Sequence, residues 1–198
     1  MDRPGFGLVV VAGSTGSLPA ITAILSVLPA SFLLPILIVE HHRRSHSWLA
    51  EILDRTTLLA VRFATEGSVL KPGDVLVAPP ERHLIVNPDA TVTLSQAEPV
   101  HFARPSADLL FQSAARSYGS RVIAVVLSGT GRDGAEGARA VKEYGGTLII
   151  QDETTSEFFG MPGAAIDATE PDLILHFVLP LEDIGPTLRC LTEGPTSP

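Results

Sequence analysis

The 198-residue sequence contains one cysteine, Cys190, so it has no internal disulfide. A lone cysteine is typical of a reducing compartment, and we expect a cytoplasmic location. Basic residues are also scarce, since 14 lysines and arginines stand against 22 aspartates and glutamates, for a formal net charge of −8. Binding to the phosphate backbone of a nucleic acid requires a basic surface. The charge balance therefore argues against a nucleic-acid partner and favours a small molecule or a protein.

Long apolar runs are absent as well. No stretch approaches the roughly 20 residues of a membrane span, and the N-terminal apolar run lacks the flanks of a secretory signal peptide. We therefore expect no membrane insertion. A hydrophobic content of 45% is enough for the core of one domain. We expect that domain over residues 1–191 and a flexible tail over residues 192–198, where Gly194 and two prolines interrupt a polar sequence.

The sequence does contain apolar, β-branched runs that alternate with helix-like segments. The runs at 8–12, 34–39 and 122–127 are almost continuously apolar, which is typical of parallel strands covered on both faces. Periodicity predicts helices at 18–28, 45–54, 105–118 and 135–144, and further strands at 58–63, 147–151 and 173–177. The pattern predicts an α/β fold with a doubly wound, mostly parallel sheet of the Rossmann-like type.

The segment from about 65 to 97 has a different pattern. Short strands are expected at 75–78, 83–86 and 91–94, separated by the sequences PPE at 79–81 and NPD at 87–89. Proline, asparagine and aspartate at this spacing are typical of turns between neighbouring antiparallel strands. We therefore expect an inserted antiparallel β-hairpin region.

Chemically useful side chains follow three of the apolar runs. Ser14 comes after the first, His41 after the second and Asp133 after the third. Because ligands bind at the carboxyl ends of parallel strands, these side chains are expected to meet at one sheet edge. A serine, a histidine and an aspartate are the residue types of a nucleophile, its general base and the acid that orients the base. The backbone N–H groups of Thr15 and Thr130 are candidate donors to an oxyanion.

Each candidate also has a simpler interpretation. Ser14 or Ser17 caps the following helix, or the glycine-rich turn binds a phosphate, although the Walker A, G-x-G-x-x-G and G-x-S-x-G motifs are all absent there. His41 is then a surface histidine, and Asp133 an N-cap of the helix that follows it.

A histidine cluster raises the question of a metal. His41, His42 and His46 lie close together, but Arg43 and Arg44 add positive charge, and no cysteine or carboxylate completes a recognised ligand spacing. We expect neither a metal nor another cofactor.

Six blocks occur together in the chain: VAGSTG at 11–16, IVEHH at 38–42, APPERH at 78–83, RPSADLLF at 104–111, VLSGTGRDGA at 126–135 and FGMPGAA at 159–165. In order and spacing they resemble the catalytic domain of the CheB family of chemotaxis protein-glutamate methylesterases. The resemblance implies a serine hydrolase that removes methyl groups from glutamyl esters on the cytoplasmic helices of chemoreceptors. The expected partner is such a methylated receptor helix or another methyl-esterified protein. Some members also deamidate receptor glutamines. By this resemblance Ser14 is the nucleophile, His41 the general base and Asp133 the orienting acid.

The resemblance leaves two other functions open. A non-catalytic protein-binding module of the same fold is the alternative, and a nucleotide-binding protein ranks third. We expect no receiver domain beside a catalytic domain within 198 residues. The chain also departs from the family pattern. The usual Gly-Ala-Ser-Thr-Gly-Gly is AGSTGS at 12–17 here, and Thr130 stands where methionine is usual.

Overall fold

The computed structural model describes residues 7–41, 47–169 and 176–193. The strands are β1 (Leu8–Gly13), β2 (Ile36–Glu40), β3 (Ala60–Phe63), β4 (Asp74–Val77), β5 (His83–Val86), β6 (Val92–Ser95), β7 (Val122–Val126), β8 (Thr147–Gln151) and β9 (His176–Leu179). The helices are α1 (Ser17–Ser26), α2 (Leu49–Asp54), α3 (Ala107–Tyr118), α4 (Ala135–Glu143), α5 (Gly160–Thr169) and α6 (Leu181–Glu193).

One sheet organises the fold. Its strands follow the order β3-β4-β2-β1-β7-β8-β9, and every pairing is parallel. Successive residues of β1 face opposite layers of the core. Val10 packs in the layer that contains Phe111 of α3 and Val141 of α4, whereas Val9 packs in the layer that contains Ile21 of α1. The predicted doubly wound α/β fold is therefore confirmed, and all parallel strands end at the same edge of the sheet.

The hairpin prediction was wrong for one strand. The run at 75–78 forms β4, which lies in the main sheet, parallel to both β3 and β2. Val75, Leu76 and Val77 are fully buried, as both faces of an internal parallel strand require. The prolines at 79–80 therefore end a parallel strand. Of the three strands predicted for the hairpin region, β5 and β6 do form an antiparallel hairpin, with His83 opposite Ser95.

Several element boundaries differ from the predictions. Helix α2 begins at Leu49, and residues 45 and 46 of the predicted helix lie outside the described ranges. Strand β9 overlaps the predicted strand at 173–177, of which 173–175 are outside those ranges. Helix α6 includes Thr192 and Glu193 of the predicted tail, and 194–198 are not described. Within the described ranges, no helix is both long enough and apolar enough to span a membrane.

Candidate active site

Ser14 lies just beyond β1, in a turn whose backbone is fixed on both sides. Its N–H donates to the carbonyl of Ser128 (3.0 Å), and its own carbonyl accepts the N–H of Ser17 (3.0 Å). The turn enters α1 through Gly16, whose φ of 81° favours glycine. A Cβ on Gly16 would also lie 2.7 Å from the side chain of Glu157. The serine is 8% exposed, so a rigid backbone holds a nearly buried hydroxyl.

Gly13 and Ser17 account for the altered serine motif. A Cβ on Gly13 would lie 2.4 Å from the Cβ of Ser17 and 2.6 Å from its Oγ. The Cβ of Ser17 moves only with the backbone, and Ser17 is fully buried, so a change of side-chain rotamer cannot relieve this contact. The two positions therefore cannot both carry side chains in this backbone. In the pattern that the resemblance implies, alanine at position 13 and glycine at position 17 would place that volume at position 13 instead.

His41 lies beside the serine turn because of the register of the sheet. Gly13 of β1 pairs with Glu40 of β2, and the N–H of His41 donates to the Gly13 carbonyl (3.2 Å). The Nε2 atom of His41 forms a hydrogen bond with Oδ2 of Asp133 (2.8 Å). Nδ1 therefore remains for a second partner. Among the hydrogen bonds of the described ranges, none joins His41 to the Oγ of Ser14.

Asp133 is 4% exposed and accepts four hydrogen bonds. Besides His41, the donors are the hydroxyl of Ser106 (2.8 Å) and the N–H groups of Ala107 (2.7 Å) and Asp108 (3.1 Å). Burial by itself would raise the pKa of Asp133, but the bonds from His41 and these backbone groups together hold that pKa below its usual value. The carboxylate is therefore charged where it meets the imidazole.

The Asp133 carboxylate does not cap the helix that follows it. The N-cap of α4 is Gly134, at φ 101° and without a side-chain cap. Asp133 instead binds the first N–H groups of α3, while Asp108 of α3 accepts the N–H groups of Gly134 (2.9 Å) and Gly137 (2.7 Å). Burial, opposed by these bonds and assisted by the charge of Asp133, raises the pKa of Asp108 to about 6. Each carboxylate thus stabilises the start of the other helix.

A cavity of about 740 Å³ brings the predicted residues together. Ser14, His41 and Asp133 line it, and so do both candidate oxyanion donors, Thr15 and Thr130. The cavity opens at the carboxyl ends of the parallel strands, where the sequence predicted a ligand site.

The loop after β7 passes directly against the serine. A Cβ on Gly129 would lie 3.0 Å from the Cβ of Ser14 and 2.3 Å from the Sδ of Met161. Any side chain at this position would displace the nucleophile candidate or the methionine behind it. Glycine is therefore needed at position 129 for the loop to approach so closely.

Four further polar residues support the site and were missed from the sequence: His83, Ser106, Asp108 and His101. His83 is fully buried, donating from Nε2 to the Glu98 carbonyl (3.2 Å) and accepting the Ser106 N–H at Nδ1 (3.1 Å). His101 Nε2 lies 3.6 Å from Oδ2 of Asp108. The blocks at 78–83 and 104–111 contain three of these residues, but nothing local indicates which atoms they contact.

The other members of the histidine cluster, His42 and His46, lie outside the described residues, together with Arg43 and Arg44. Within the ranges that the structure covers, no three histidine, cysteine, aspartate or glutamate side chains are grouped so that they could hold a metal ion.

Comparison with known proteins agrees with this geometry. A family model described as CheB methylesterase matches residues 9–188. A protein-glutamate methylesterase/protein-glutamine glutaminase from Moorella thermoacetica is 42% identical over 97% of this chain and 46% of its own length. A protein of the same designation from Myxococcus xanthus is 41% identical over 97% of this chain and 53% of its own length. The chain thus spans about half the length of these curated relatives.

The fold also matches a solved structure. The crystal structure of the Thermotoga maritima CheB methylesterase catalytic domain superposes with a TM-score of 0.86 at 37% sequence identity. The match covers 92% of this chain and 97% of that domain.

Proposed function

Because the chain belongs to the CheB methylesterase family, we propose that it hydrolyses glutamyl methyl esters on the cytoplasmic helices of chemoreceptors. The observation that carries the proposal is the His41–Asp133 hydrogen bond of 2.8 Å, in a cavity that Ser14 also lines. A charged acid, an imidazole with one free nitrogen and a serine are the groups that acyl transfer requires. We place this reaction in the cytoplasm.

In the proposed reaction, Nδ1 of His41 takes the proton of Ser14 as Oγ attacks the ester carbonyl. The N–H groups of Thr15 and Thr130 receive the oxyanion. His41 then returns the proton to the leaving methoxide, which departs as methanol. Water attacks the acyl-enzyme with His41 again as base, releasing the glutamate carboxyl and restoring Ser14. With a glutamine substrate the leaving group is ammonia, which accounts for the paired activities in the relatives' names.

Asp133 has two roles in this proposal. Its Oδ2 fixes the ring of His41 and stabilises the imidazolium that forms when the serine loses its proton. It does so through Nε2, whereas in the serine protease triad the acid binds Nδ1. The two ring nitrogens therefore exchange roles relative to the serine protease triad: Nε2 binds the acid and Nδ1 serves as the base.

The test is release of methanol from a methylated receptor cytoplasmic fragment. Ser14→Ala should lower the rate by about 10³-fold or more, because the nucleophile is lost. Thr15→Ala is the matched control. It removes an exposed side chain from the same turn but keeps the backbone N–H, so it should retain most of the activity. Equal release by the wild-type protein and Ser14→Ala would refute the proposal.

One observation favours the alternative, a protein-binding module. Within the described residues no hydrogen bond joins Ser14 to His41, although such contacts are often long before substrate binds. A binding module would retain the receptor fragment after Ser14→Ala and would release no methanol even in its wild-type form. The same assay, run beside a binding measurement, therefore separates the two functions.

A further inference from the structure

A tight turn at the cavity mouth has an unusual backbone. Val100 and Ala103 exchange two hydrogen bonds, of 3.1 and 2.8 Å, across the residues between them. Those residues, His101 and Phe102, have φ angles of 48° and 63°. Turns with two positive φ angles are normally built from glycine, asparagine or aspartate, because a side chain is strained there. Both residues line the cavity, as does Glu81, another non-glycine residue with positive φ (62°).

The strained turn presents an aromatic ring to solvent. Phe102 is 103% exposed, so the side chain makes almost no contact with the rest of the protein. A fully exposed phenylalanine buries no apolar area and so does not stabilise the core. Its positive φ angle lowers the stability of the fold. Strain of this kind is concentrated at functional sites. The cavity that Phe102 borders also contains Ser14 and His41.

The turn is held in place from both sides. His101 Nε2 lies 3.6 Å from Oδ2 of Asp108, a buried oxygen without a hydrogen-bond partner among the described residues. On the other side, Arg104 contacts the Glu81 carboxylate (3.3 Å) and donates to the carbonyl of Ala97 (3.1 Å). These contacts hold the turn that carries Phe102 in place beside the Asp108 and Glu81 carboxylates.

We propose that Phe102 is a specificity-determining residue that packs against an apolar side chain of the substrate helix, one turn away from the ester. The inference rests on the proposed function. Residues three and four apart on a helix are neighbours about 5–6 Å apart. Because Phe102 lines the same cavity as Ser14, we expect its ring to contact such a neighbour when the ester is bound at Ser14. Phe102 thereby favours esters carried on a helix over free glutamyl esters, which lack that neighbour.

The test compares two substrates, a methylated receptor cytoplasmic fragment and N-acetylglutamate γ-methyl ester. Phe102→Ala should raise KM for the receptor fragment by about tenfold or more, as removal of an aromatic anchor does. Its kcat/KM for the small ester should stay within about twofold of the wild-type value. Phe102→Leu keeps apolar area and should recover part of the receptor affinity. Leu33→Ala is the control, since Leu33 is 63% exposed but precedes the amino end of β2.

A second variant separates recognition from a structural role. Phe102→Gly relieves the positive φ and should raise Tm, yet it should show the same higher KM for the receptor as Phe102→Ala. A residue with only a structural role would not combine higher stability with weaker binding.

Two results would overturn the inference while leaving the proposed function intact. One is an unchanged KM for the receptor fragment in Phe102→Ala. The other is an equal loss of kcat/KM on both substrates. If the wild-type protein turns over neither ester, the proposed function is refuted and this inference with it.

Discussion

Substituting Gly13 by alanine should destabilise the serine turn, and also removing the side chain of Ser17 should restore part of the lost stability. The added Cβ would lie 2.4 Å from the Ser17 Cβ, whereas carbon atoms pack at about 3.5–4.0 Å. The overlap exceeds 1 Å, and the Cβ of the fully buried Ser17 can move only if the backbone of the turn moves. Overpacking of a core costs about 1–3 kcal/mol. For a domain of this size, a loss of about 2 kcal/mol lowers Tm by about 4–8 °C.

The double variant makes the prediction specific to this pair. Ser17→Gly alone should cost less than the roughly 0.5–1 kcal/mol of a glycine in mid-helix, because Ser17 is the first residue of α1. If the volume at position 17 replaces volume at position 13, Gly13→Ala/Ser17→Gly will be more stable than Gly13→Ala. The coupling energy should be about 1–3 kcal/mol. Thermal unfolding by circular dichroism gives the stabilities, and methanol release should recover in parallel.

Gly163→Ala is the matched control for this cycle. It adds the same methyl group, but the nearest atom belongs to the ring of Phe159 at 3.4 Å, and position 163 lies inside α5. Alanine is favoured over glycine in a helix, so Tm should hold or rise. Two results would contradict the prediction: changes in unfolding free energy that are strictly additive for positions 13 and 17, or a Gly13→Ala variant as stable as the wild type. Either would show that side chains at the two positions do not compete for the same volume.

Three further substitutions test the supporting network. Asp108→Asn should flatten the pH dependence of stability. The pKa of Asp108 in the folded protein, about 6, lies above the usual 3.8, so the wild-type protein loses stability as pH rises from about 4 to 6 and the carboxyl group ionises. Urea unfolding at both pH values measures this loss. Gly129→Ala should lower kcat more than it raises KM, measured by methanol release, because the added Cβ would press on Ser14. Asp133→Asn should lower kcat by about 10³–10⁴-fold in the same assay and also lower Tm, since its carboxylate caps α3.

The sheet was largely predictable because parallel strands with both faces buried give unbroken apolar runs, such as those of β1 and β7. Strand β4 has the same kind of run, but it is short and followed by two prolines, which also suit a hairpin. Its pairing with β2 is a long-range contact that no local pattern reveals. Helix α5 was missed because Gly160, Pro162 and Gly163 weaken a helical pattern, although Pro162 lies in the first turn, where proline is tolerated.

The candidate site was predictable only in part. Ser14, His41 and Asp133 were predicted to meet at one edge of the sheet because each follows a parallel strand. In the structure all three line one cavity. Asp108 was missed because its importance comes from contacts with the start of a different helix. The turn at Phe102 was missed because it lacks the glycine or asparagine that usually marks positive φ angles.

The sequence left two interpretations of Asp133, a cap of the helix that follows it or the orienting acid of a triad. The first was wrong, because Gly134 is the N-cap of α4, but the carboxylate does bind the start of another helix, α3. One oxygen, Oδ2, accepts both the N–H of Ala107 at the start of α3 and the Nε2 of His41. The bond from His41 and the N–H bonds from the start of α3 together hold the pKa of this buried carboxylate below its usual value, and a charged carboxylate is what an imidazolium needs as a neighbour. Capping therefore prepares the acid for its proposed role, and a substitution at 133 cannot remove one without the other.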